Sequence, residues 1–286
     1  MLEVVPPSRR APQSKVIESA GQVSDLIKDL GGVDYVDIPE IVEENYRGVP
    51  LYKHFDTRDF CSALKEVVPA ECVPNKITVY MGSGAELGSW LRACASKYGI
   101  GKVVFVGGIN GSRQYNGPSV TESNRIAASI KGLSVGNVCL PSRPGESERM
   151  VSKTSSGASF FTTQAIFNPD QTIKLLGEYS AECEKGGLRP STVFLSFPVA
   201  TSPYDIDFLQ WLGAEIGDDD AARLIKSDNV ERASREMCSD ALSRITDSIR
   251  DDGMGVPIGI NIEAVSASNF GAICDMADAL RSVSKL

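Results

Sequence analysis

The amino-acid sequence predicts a (β/α)8 TIM barrel, because eight short apolar segments are each followed by a helical pattern. The chain has 286 residues, near the length typical of such barrels. An open doubly wound sheet is the second choice, but no strand–GxGxxG–helix unit occurs early in the chain. We therefore predict one domain over residues 1–286, with an extra helical segment before strand eight.

The strands are predicted from short β-branched or aromatic runs that end in turn residues. In order, they are Leu2–Val5, Val33–Ile38, Lys76–Met81, Lys102–Val106, Ser134–Leu140, Ser159–Thr163, Thr192–Phe197 and Ile258–Val265. The helices are predicted from apolar residues at helical spacing. They cover Ser14–Leu30, Asp56–Val67, Ala85–Tyr98, the segment after Pro118 to Lys131, Glu146–Ser155, Asp170–Lys185, Tyr204–Leu212, the long insert Asp218–Arg250 and Asn269–Val283. The segment through Tyr46 and His54 is predicted to be a loop.

The charge balance bears on partners and location. A net charge of −8 argues against nucleic acid or an anionic membrane surface as the main partner, since both require clustered Lys and Arg. No run of about 20 apolar residues occurs, and the start MLEVVPPSRR lacks a leader pattern. We expect a cytoplasmic protein without membrane spans. The sequence leaves a homo-oligomer open.

Cysteine and histidine usage bears on metal and thiol chemistry. Seven cysteines are dispersed singly, without a CxxC pair, and His54 is the only histidine, so no zinc site is predicted. Dispersed cysteines fit a reducing cytoplasm. A catalytic Cys–His pair would have to use His54, whose loop position does not favour that role. Asp218, Asp219 and Asp220 are read as the cap of a helix that begins at Ala221, in preference to a metal cluster.

Two polar residues lie where barrel chemistry is expected. Gln164 follows strand six, and ligands of such barrels bind beyond the carboxyl ends of the strands. Its amide could donate to and accept from one planar heterocycle; a buried or merely solvated glutamine is the alternative. Glu3 lies inside an apolar strand, where loss of hydration would raise its pKa and make it a proton donor near neutrality. A solvated side chain at a frayed terminus is the alternative.

Other candidates are weaker. Asp37, Glu40 and Glu263 would add carboxylates at the same end of the barrel; the alternative is that one or two of them only pair with an arginine or cap a helix. The glycine-rich segment Gly107–Ser112, which includes Gly108 and Asn110, could approach a phosphate or ring closely, or form only a tight turn. Arg143, Arg149 and Lys153 could meet a phosphate or a glutamate tail, or form a solvated helix face with Glu146 and Glu148.

Several motifs resemble those of the methylenetetrahydrofolate reductases. The segment GASFFTTQ at Gly157–Gln164, with Phe167-Asn168 after it, resembles the family signature G-A-x-x-x-x-T-Q-x-x-F-D. Three further segments follow the family's order: Glu3–Pro7 for its opening E-F-F-P-P, Phe197–Val199 for its strand-seven turn and Gly217–Ala221 for the acidic entry to its extra helix. The resemblance covers most of the chain.

The resemblance implies a (β/α)8 barrel that reduces 5,10-methylenetetrahydrofolate to 5-methyltetrahydrofolate with NAD(P)H, usually through FAD. It implies that Glu3 is the general acid and that Gln164 hydrogen-bonds the pterin. Tyr204 or Phe208, after strand seven, would flank the ring. Gly107, Gly108, Asn110 and Lys153 are the positions left to contact a cofactor.

The flavin side of the family pattern is poorly matched. Gly107-Gly108-Ile109 stands where the family has R-G-D, its strand-three histidine is absent, and Leu140–Glu146 differs from its strand-five motif. We expect either weakened FAD binding or direct hydride transfer from the nicotinamide. A barrel that binds a folate or related pterin without reducing it, as a carrier or partner subunit, is the alternative function.

Overall fold

The computed structural model describes residues 1–45, 49–108, 114–211, 214, 216–264 and 270–284. Eight parallel strands close into a barrel with helices between them, so the predicted (β/α)8 TIM barrel is confirmed. In barrel order the strands are β1 (Leu2–Val4), β2 (Tyr35–Ile38), β5 (Glu71–Ile77), β6 (Lys102–Val106), β7 (Ser134–Cys139), β8 (Ala158–Thr163), β9 (Thr192–Pro198) and β10 (Ile258–Ala264). A separate antiparallel pair consists of β3 (Val42–Glu44) and β4 (Pro50–Tyr52).

Helices follow the barrel strands as a (β/α)8 fold requires. They are α1 (Gln13–Leu30), α2 (Thr57–Lys65), α3 (Gly84–Ser96), α4 (Val120–Ala128), α5 (Glu146–Ser155), α6 (Pro169–Lys185), α7 (Pro203–Trp211), α8 (Asp218–Ile225), α9 (Val230–Asp251) and α10 (Phe270–Val283). None of the helices in the described ranges is long and apolar enough to cross a membrane.

Contacts within the chain group it into two compact units. The first contains Met1–Val138 and Ser156–Ser159, and the second contains Cys139–Ser155 and Phe160–Leu286. The prediction of one domain over residues 1–286 stays a prediction.

The first unit is built on a ladder of parallel strands. β1 pairs with β2, β2 with β5, β5 with β6, and β6 with β7. Val36, Val73, Val104 and Phe105 are completely buried, as expected for parallel strands covered on both faces. The ladder therefore holds β1, which carries Glu3, in register with its neighbour and not as a frayed terminus.

The second unit is built on β8, β9 and β10, which pair in parallel in that order. Tyr179 of α6 is fully buried and packs edge-to-face on Phe161, with ring centroids 5.8 Å apart. Its hydroxyl lies 2.7 Å from the Thr154 hydroxyl and accepts from the Ser191 amide at 2.9 Å, so the buried polar tip is satisfied. These contacts fix α6 against the strand that precedes Gln164.

Three predicted elements differ from the structure. The third barrel strand begins at Glu71 and ends at Ile77, although Pro74 lies within it, and Thr78–Tyr80 form a 3-10 turn where strand was predicted. Proline marks strand ends because it donates no ladder hydrogen bond, which is why the start was placed too late. The segment predicted as a loop before His54 contains the β3–β4 pair.

The prediction for the helical segment before β10 was wrong in two details. It is two helices, because Asn229 starts a new one by accepting a hydrogen bond from the Arg232 amide. The first of the two begins at Asp218, not Ala221, with Gly217 as its N-cap. The three aspartates therefore occupy the first turn, where the helix dipole favours negative charge. No group of three or more acidic, Cys or His side chains among the described residues could hold a metal ion.

Candidate functional site

Glu3 lies beside a second carboxyl group on the neighbouring strand. It is the register partner of Asp37 across β1 and β2, so the two side chains point to the same face. Glu3 is one of the hydrogen-bonding neighbours that act on the pKa of Asp37. On the far side, the Asn75 amide of β5 donates to Asp37 Oδ2 at 3.1 Å. Two carboxyl groups can hydrogen-bond only when one of them carries a proton, so a pair placed in this way is able to store one.

Burial sets the protonation of this pair. Asp37 is 1% exposed, and loss of hydration raises its pKa to about 6; the hydrogen bonds from Asn75 and Glu3 and the charge of the N-terminus act in the opposite sense. Because the two groups interact, the proton belongs to the pair and not to one residue. Asp37 was predicted only as an additional carboxylate at the barrel end, and its contact with Glu3 depends on the strand register.

Gln164 lies where predicted, directly after β8, and lines a cavity of about 500 Å³ within the second unit. Its backbone amide donates to the Cys139 carbonyl at 3.1 Å. The cavity is lined by segments after β7 and β8, by the first turn of α6, and by residues on and after α7. None of the described residues that line it is charged. Its polar groups are mainly amides, from Gln164, Asn168, Gln171 and Gln210.

Local sequence explains how Gln164 is positioned. Gly157 has φ +116°, a conformation that L side chains rarely adopt, so glycine is needed for the turn from α5 into β8. Beyond the strand, Asn168 Oδ1 accepts from the Asp170 amide at 2.9 Å, and Pro169 takes the first helical position. Gln164 therefore lies in a short connection whose two ends are both fixed.

Sequence reasoning missed most of this cavity, and its prediction that Tyr204 or Phe208 flanks a ring stays a prediction. The buried Thr172 hydroxyl lines it and has no hydrogen-bond partner among the described residues, which suits a ligand that brings a polar atom. Gln171 and Thr172 begin a helix after the strand that carries Gln164, and that spacing was the available signal. Tyr204 and Phe208 lie on α7, but neither lines the cavity; Tyr204 is 75% exposed and Phe208 stacks on Trp211.

The sequence profile of the mycobacterial methylenetetrahydrofolate reductases matches residues 1–282. The chain belongs to this family. The resemblance found in the short motifs is thereby confirmed over nearly the whole length of the chain. No curated protein matches the sequence.

Solved structures extend the comparison for this member of the methylenetetrahydrofolate reductase family. An uncharacterized protein from Clostridium thermocellum, described as binding two copies of 5-methyl-5,6,7,8-tetrahydrofolic acid, has a TM-score of 0.80 at 18% identity. The match covers 99% of this chain and 95% of that one. The spore cortex-lytic enzyme SleL of Bacillus cereus has a TM-score of 0.50 at 11% identity, covering 98% of this chain and 73% of that one. At these identities the likeness shows the fold alone.

In the segment that replaces the reductase family's flavin loop, Gly108 is closely packed. Gly108 lies under the Tyr115 ring, and a Cβ atom at residue 108 would come within 2.3 Å of it. Tyr115 is fixed by a 3.0 Å hydrogen bond to Glu44, which also accepts from Tyr80. The space beside Gly108 is therefore taken by the protein's own side chain and does not fit a flavin that approaches the backbone there. Gly107 has only an ordinary contact with Val120, and Asn110 lies outside the described residues.

Lys153 forms an ion pair with the buried Glu146. The alternative prediction, a solvated helix face that includes Glu146, is therefore wrong for Glu146. The Glu146 side chain is only 1% exposed, and its carboxylate lies 3.0 Å from Lys153 Nζ. Arg143 and Arg149 each approach the same carboxylate at 3.9 Å. A buried carboxylate needs such partners to offset its lost hydration. Cofactor binding by Lys153 stays a prediction, now with Glu146 as a competing partner.

Proposed function

We propose that this protein reduces 5,10-methylenetetrahydrofolate to 5-methyltetrahydrofolate with NAD(P)H as the hydride source. The observation that carries the proposal is the Glu3–Asp37 pair, because a carboxyl pair that keeps a proton close to neutral pH has little use in binding alone. Membership of the reductase family supports the same reaction.

Glu3 is proposed as the proton donor. In the reaction the methylene carbon gains a hydride, its bond to one of two nitrogens breaks, and that nitrogen keeps the electron pair and takes a proton. Protonation of the departing nitrogen makes it a better leaving group. Asp37, buried and hydrogen-bonded to Asn75, is fixed in place and hands Glu3 the shared proton.

The cavity around Gln164 is proposed to hold the pterin. A pterin ring carries adjacent donors and acceptors on one edge, and a side-chain amide matches such an edge without adding charge. Gln171 and Gln210 would supply further amides, and the unpartnered Thr172 hydroxyl one more polar contact. The volume of about 500 Å³ is within the range of small-molecule sites. A ring contact with Tyr204 or Phe208 remains part of the proposal as a contact outside this cavity.

The hydride is proposed to come from the nicotinamide without a flavin between donor and folate. The reduced nicotinamide, when bound, supplies the hydride and leaves oxidised. The packing of Tyr115 against Gly108 supports the flavin-free version, because the Tyr115 ring occupies the space beside the backbone at Gly108. What the chain contributes is position and a proton.

Folate binding without reduction is the second candidate. It is supported by the fold of the Clostridium thermocellum protein, described as binding 5-methyl-5,6,7,8-tetrahydrofolic acid. The uncharged Gln164 cavity would suffice for this role. The Glu3–Asp37 pair would then serve no purpose in binding, which is why the reductase is preferred.

Anaerobic oxidation of NADH and NADPH by the purified protein, with methylenetetrahydrofolate and with or without added FAD, tests the proposal. Turnover without FAD is the expected result. Turnover only with FAD would support the reductase but contradict direct transfer. Absence of turnover, with folate still bound in calorimetry, would favour the binding protein.

A further inference from the structure

A second cavity, of about 440 Å³, lies within the first unit and is not used by the proposed reaction. Arg9, from the loop after β1, lines one side, and Glu40, from the segment after β2, lines another. Tyr52 and His54, at and after the end of β4, and Lys76 of β5 complete its polar lining. Asn75 bonds Asp37 on one face of β5, so Lys76, the next residue, points to the opposite face, where Trp90 of α3 lies.

Lys76 is the central feature of this cavity. Its side chain is only 10% exposed, and its ammonium group donates to Glu40 Oε1 at 2.6 Å. The ammonium otherwise faces the rings of Tyr52 and Trp90, whose centroids lie 5.6 and 5.8 Å away. An ammonium has three donors, and among the described residues only Glu40 offers it an oxygen. A buried lysine with spare donors at the wall of a cavity suits an incoming anion.

Each acidic residue of the cavity already has a donor partner. Glu40 accepts from Lys76 and also from the Ile77 amide at 2.7 Å. Asp56 is paired with Arg58 at 2.8 Å, and the exposed Asp59 accepts from the Tyr98 hydroxyl at 2.9 Å. A neighbouring cation therefore offsets the charges of Glu40 and Asp56, whereas Asp59 keeps acceptor capacity.

The uncommitted polar groups of the cavity are mainly donors. Within the described part of the chain, no hydrogen bond or ion pair holds the exposed Arg9 guanidinium or the half-buried Tyr52 hydroxyl. Buried His54 Nδ1 is also without a partner there, and burial together with Lys53 lowers the pKa of this imidazole. Arg9, Tyr52 and Lys76 thus line one cavity with donors to spare, which suits an anion such as a carboxylate.

We propose that this cavity binds a small ring-bearing monocarboxylate through Lys76, Arg9 and Tyr52. Two observations select a monoanion with a ring. Arg9 and Lys76 share the lining with Glu40, Asp56 and Asp59, so the cavity carries too little positive charge for a dianion. Phe55 and Ile41 supply an apolar wall beside the donors. The site goes beyond the proposed reductase function and does not depend on it.

Calorimetric titration with benzoate, and separately with inorganic phosphate, tests the site on the full chain. Benzoate is expected to bind saturably at one site and to change tryptophan fluorescence, because Trp90 contacts Lys76. Phosphate is expected to bind at least about tenfold more weakly, since a dianion meets three carboxylates. Absence of saturable benzoate binding, or tighter binding of phosphate, would overturn the assignment.

Variants locate the bound benzoate. Arg9→Ala should weaken it about tenfold and Tyr52→Phe about fivefold, as expected for one charged and one neutral hydrogen bond. Arg10→Ala, an exposed neighbour that does not line the cavity, is the matched control. Both tested side chains are at least partly exposed, so neither change should unfold the protein. Unchanged affinity in both variants would overturn the proposal, as would loss of benzoate binding in Gln164→Ala.

Discussion

The carboxyl pair of the first unit and the amide cavity of the second differ in the chemistry they support. Glu3 and Asp37 are register partners near Asn75, in surroundings that raise the pKa of Asp37 to about 6. The Gln164 cavity is lined by neutral side chains in its described part. Proton transfer needs a group whose charge can change, whereas recognition of a polar ring needs fixed donors and acceptors. The proposed function assigns the first task to the carboxyl pair and the second to the cavity.

The largest expected effect is on the carboxyl pair. Glu3→Gln keeps the shape and a hydrogen bond to Asp37 but removes the exchangeable proton, so kcat should fall by about 10²- to 10⁴-fold while folate affinity changes little. Steady-state kinetics and calorimetry measure the two quantities. Glu18→Gln, on the exposed face of α1, is the control. An unchanged kcat would contradict the proposal that Glu3 donates the proton.

The second unit also contains a buried ion pair, Glu146–Lys153, and we expect this pair to stabilise the fold. Lys153→Met would leave the Glu146 carboxylate, 1% exposed, without its close partner, at a cost of about 3–5 kcal/mol in the free energy of unfolding. Urea unfolding measures this. Lys174→Met, with a 71% exposed side chain, should change stability by less than about 1 kcal/mol. A stable Lys153→Met protein with a raised KM for NAD(P)H would instead place Lys153 at the cofactor.

Asp37 should make stability depend on pH. Its pKa is raised from 3.8 to about 6, so the folded protein holds a proton that the unfolded chain releases between these values. The free energy of unfolding should therefore fall by about 3 kcal/mol as pH rises from about 4 to 6, then level off. Asp37→Asn should abolish this slope in urea unfolding, whereas Asp25→Asn, an exposed aspartate, should keep it. A slope that survives in Asp37→Asn would assign the stored proton elsewhere.

The smallest effect is expected in the amide cavity. Gln164→Ala removes one neutral hydrogen-bonding group and should weaken folate binding about tenfold, with little change in kcat at saturation. Calorimetry with 5-methyltetrahydrofolate measures the affinity. Gln22→Ala, an exposed glutamine of α1, serves as the control. Equal affinities in both variants would remove Gln164 from the pterin site.

The parts of the fold that follow periodic patterns could be predicted from sequence. Lys102–Val106 and Glu146–Ser155 match their predicted bounds because each is a simple apolar or amphipathic run. The β3–β4 pair could not be predicted, since each strand has three residues, too few for a pattern. The third barrel strand was predicted to begin too late because Pro74 interrupts the strand pattern. In the structure this segment nevertheless pairs with β2.

Sequence patterns could predict individual residues of the candidate site but not which residues contact each other there. Glu3 and Gln164 stand out because a polar group in or after an apolar strand is unusual. That Asp37 lies beside Glu3 depends on strand register, which no local pattern encodes. That Glu146 is buried beneath Lys153 depends on how α5 packs, because a Glu in the first turn of a helix is commonly exposed.

The buried cysteines allow unfolding of the protein to be detected by thiol labelling. Six of the seven thiols are buried, and burial raises the pKa of Cys94 and Cys139 to about 12. Only the thiolate reacts with alkylating reagents. Cys94 and Cys139 are therefore protected both by burial and because their thiols stay protonated. Cys274 alone is partly exposed. A brief alkylation pulse read by mass spectrometry should therefore add a single label to intact molecules and seven to opened ones, which counts the two populations without an added probe.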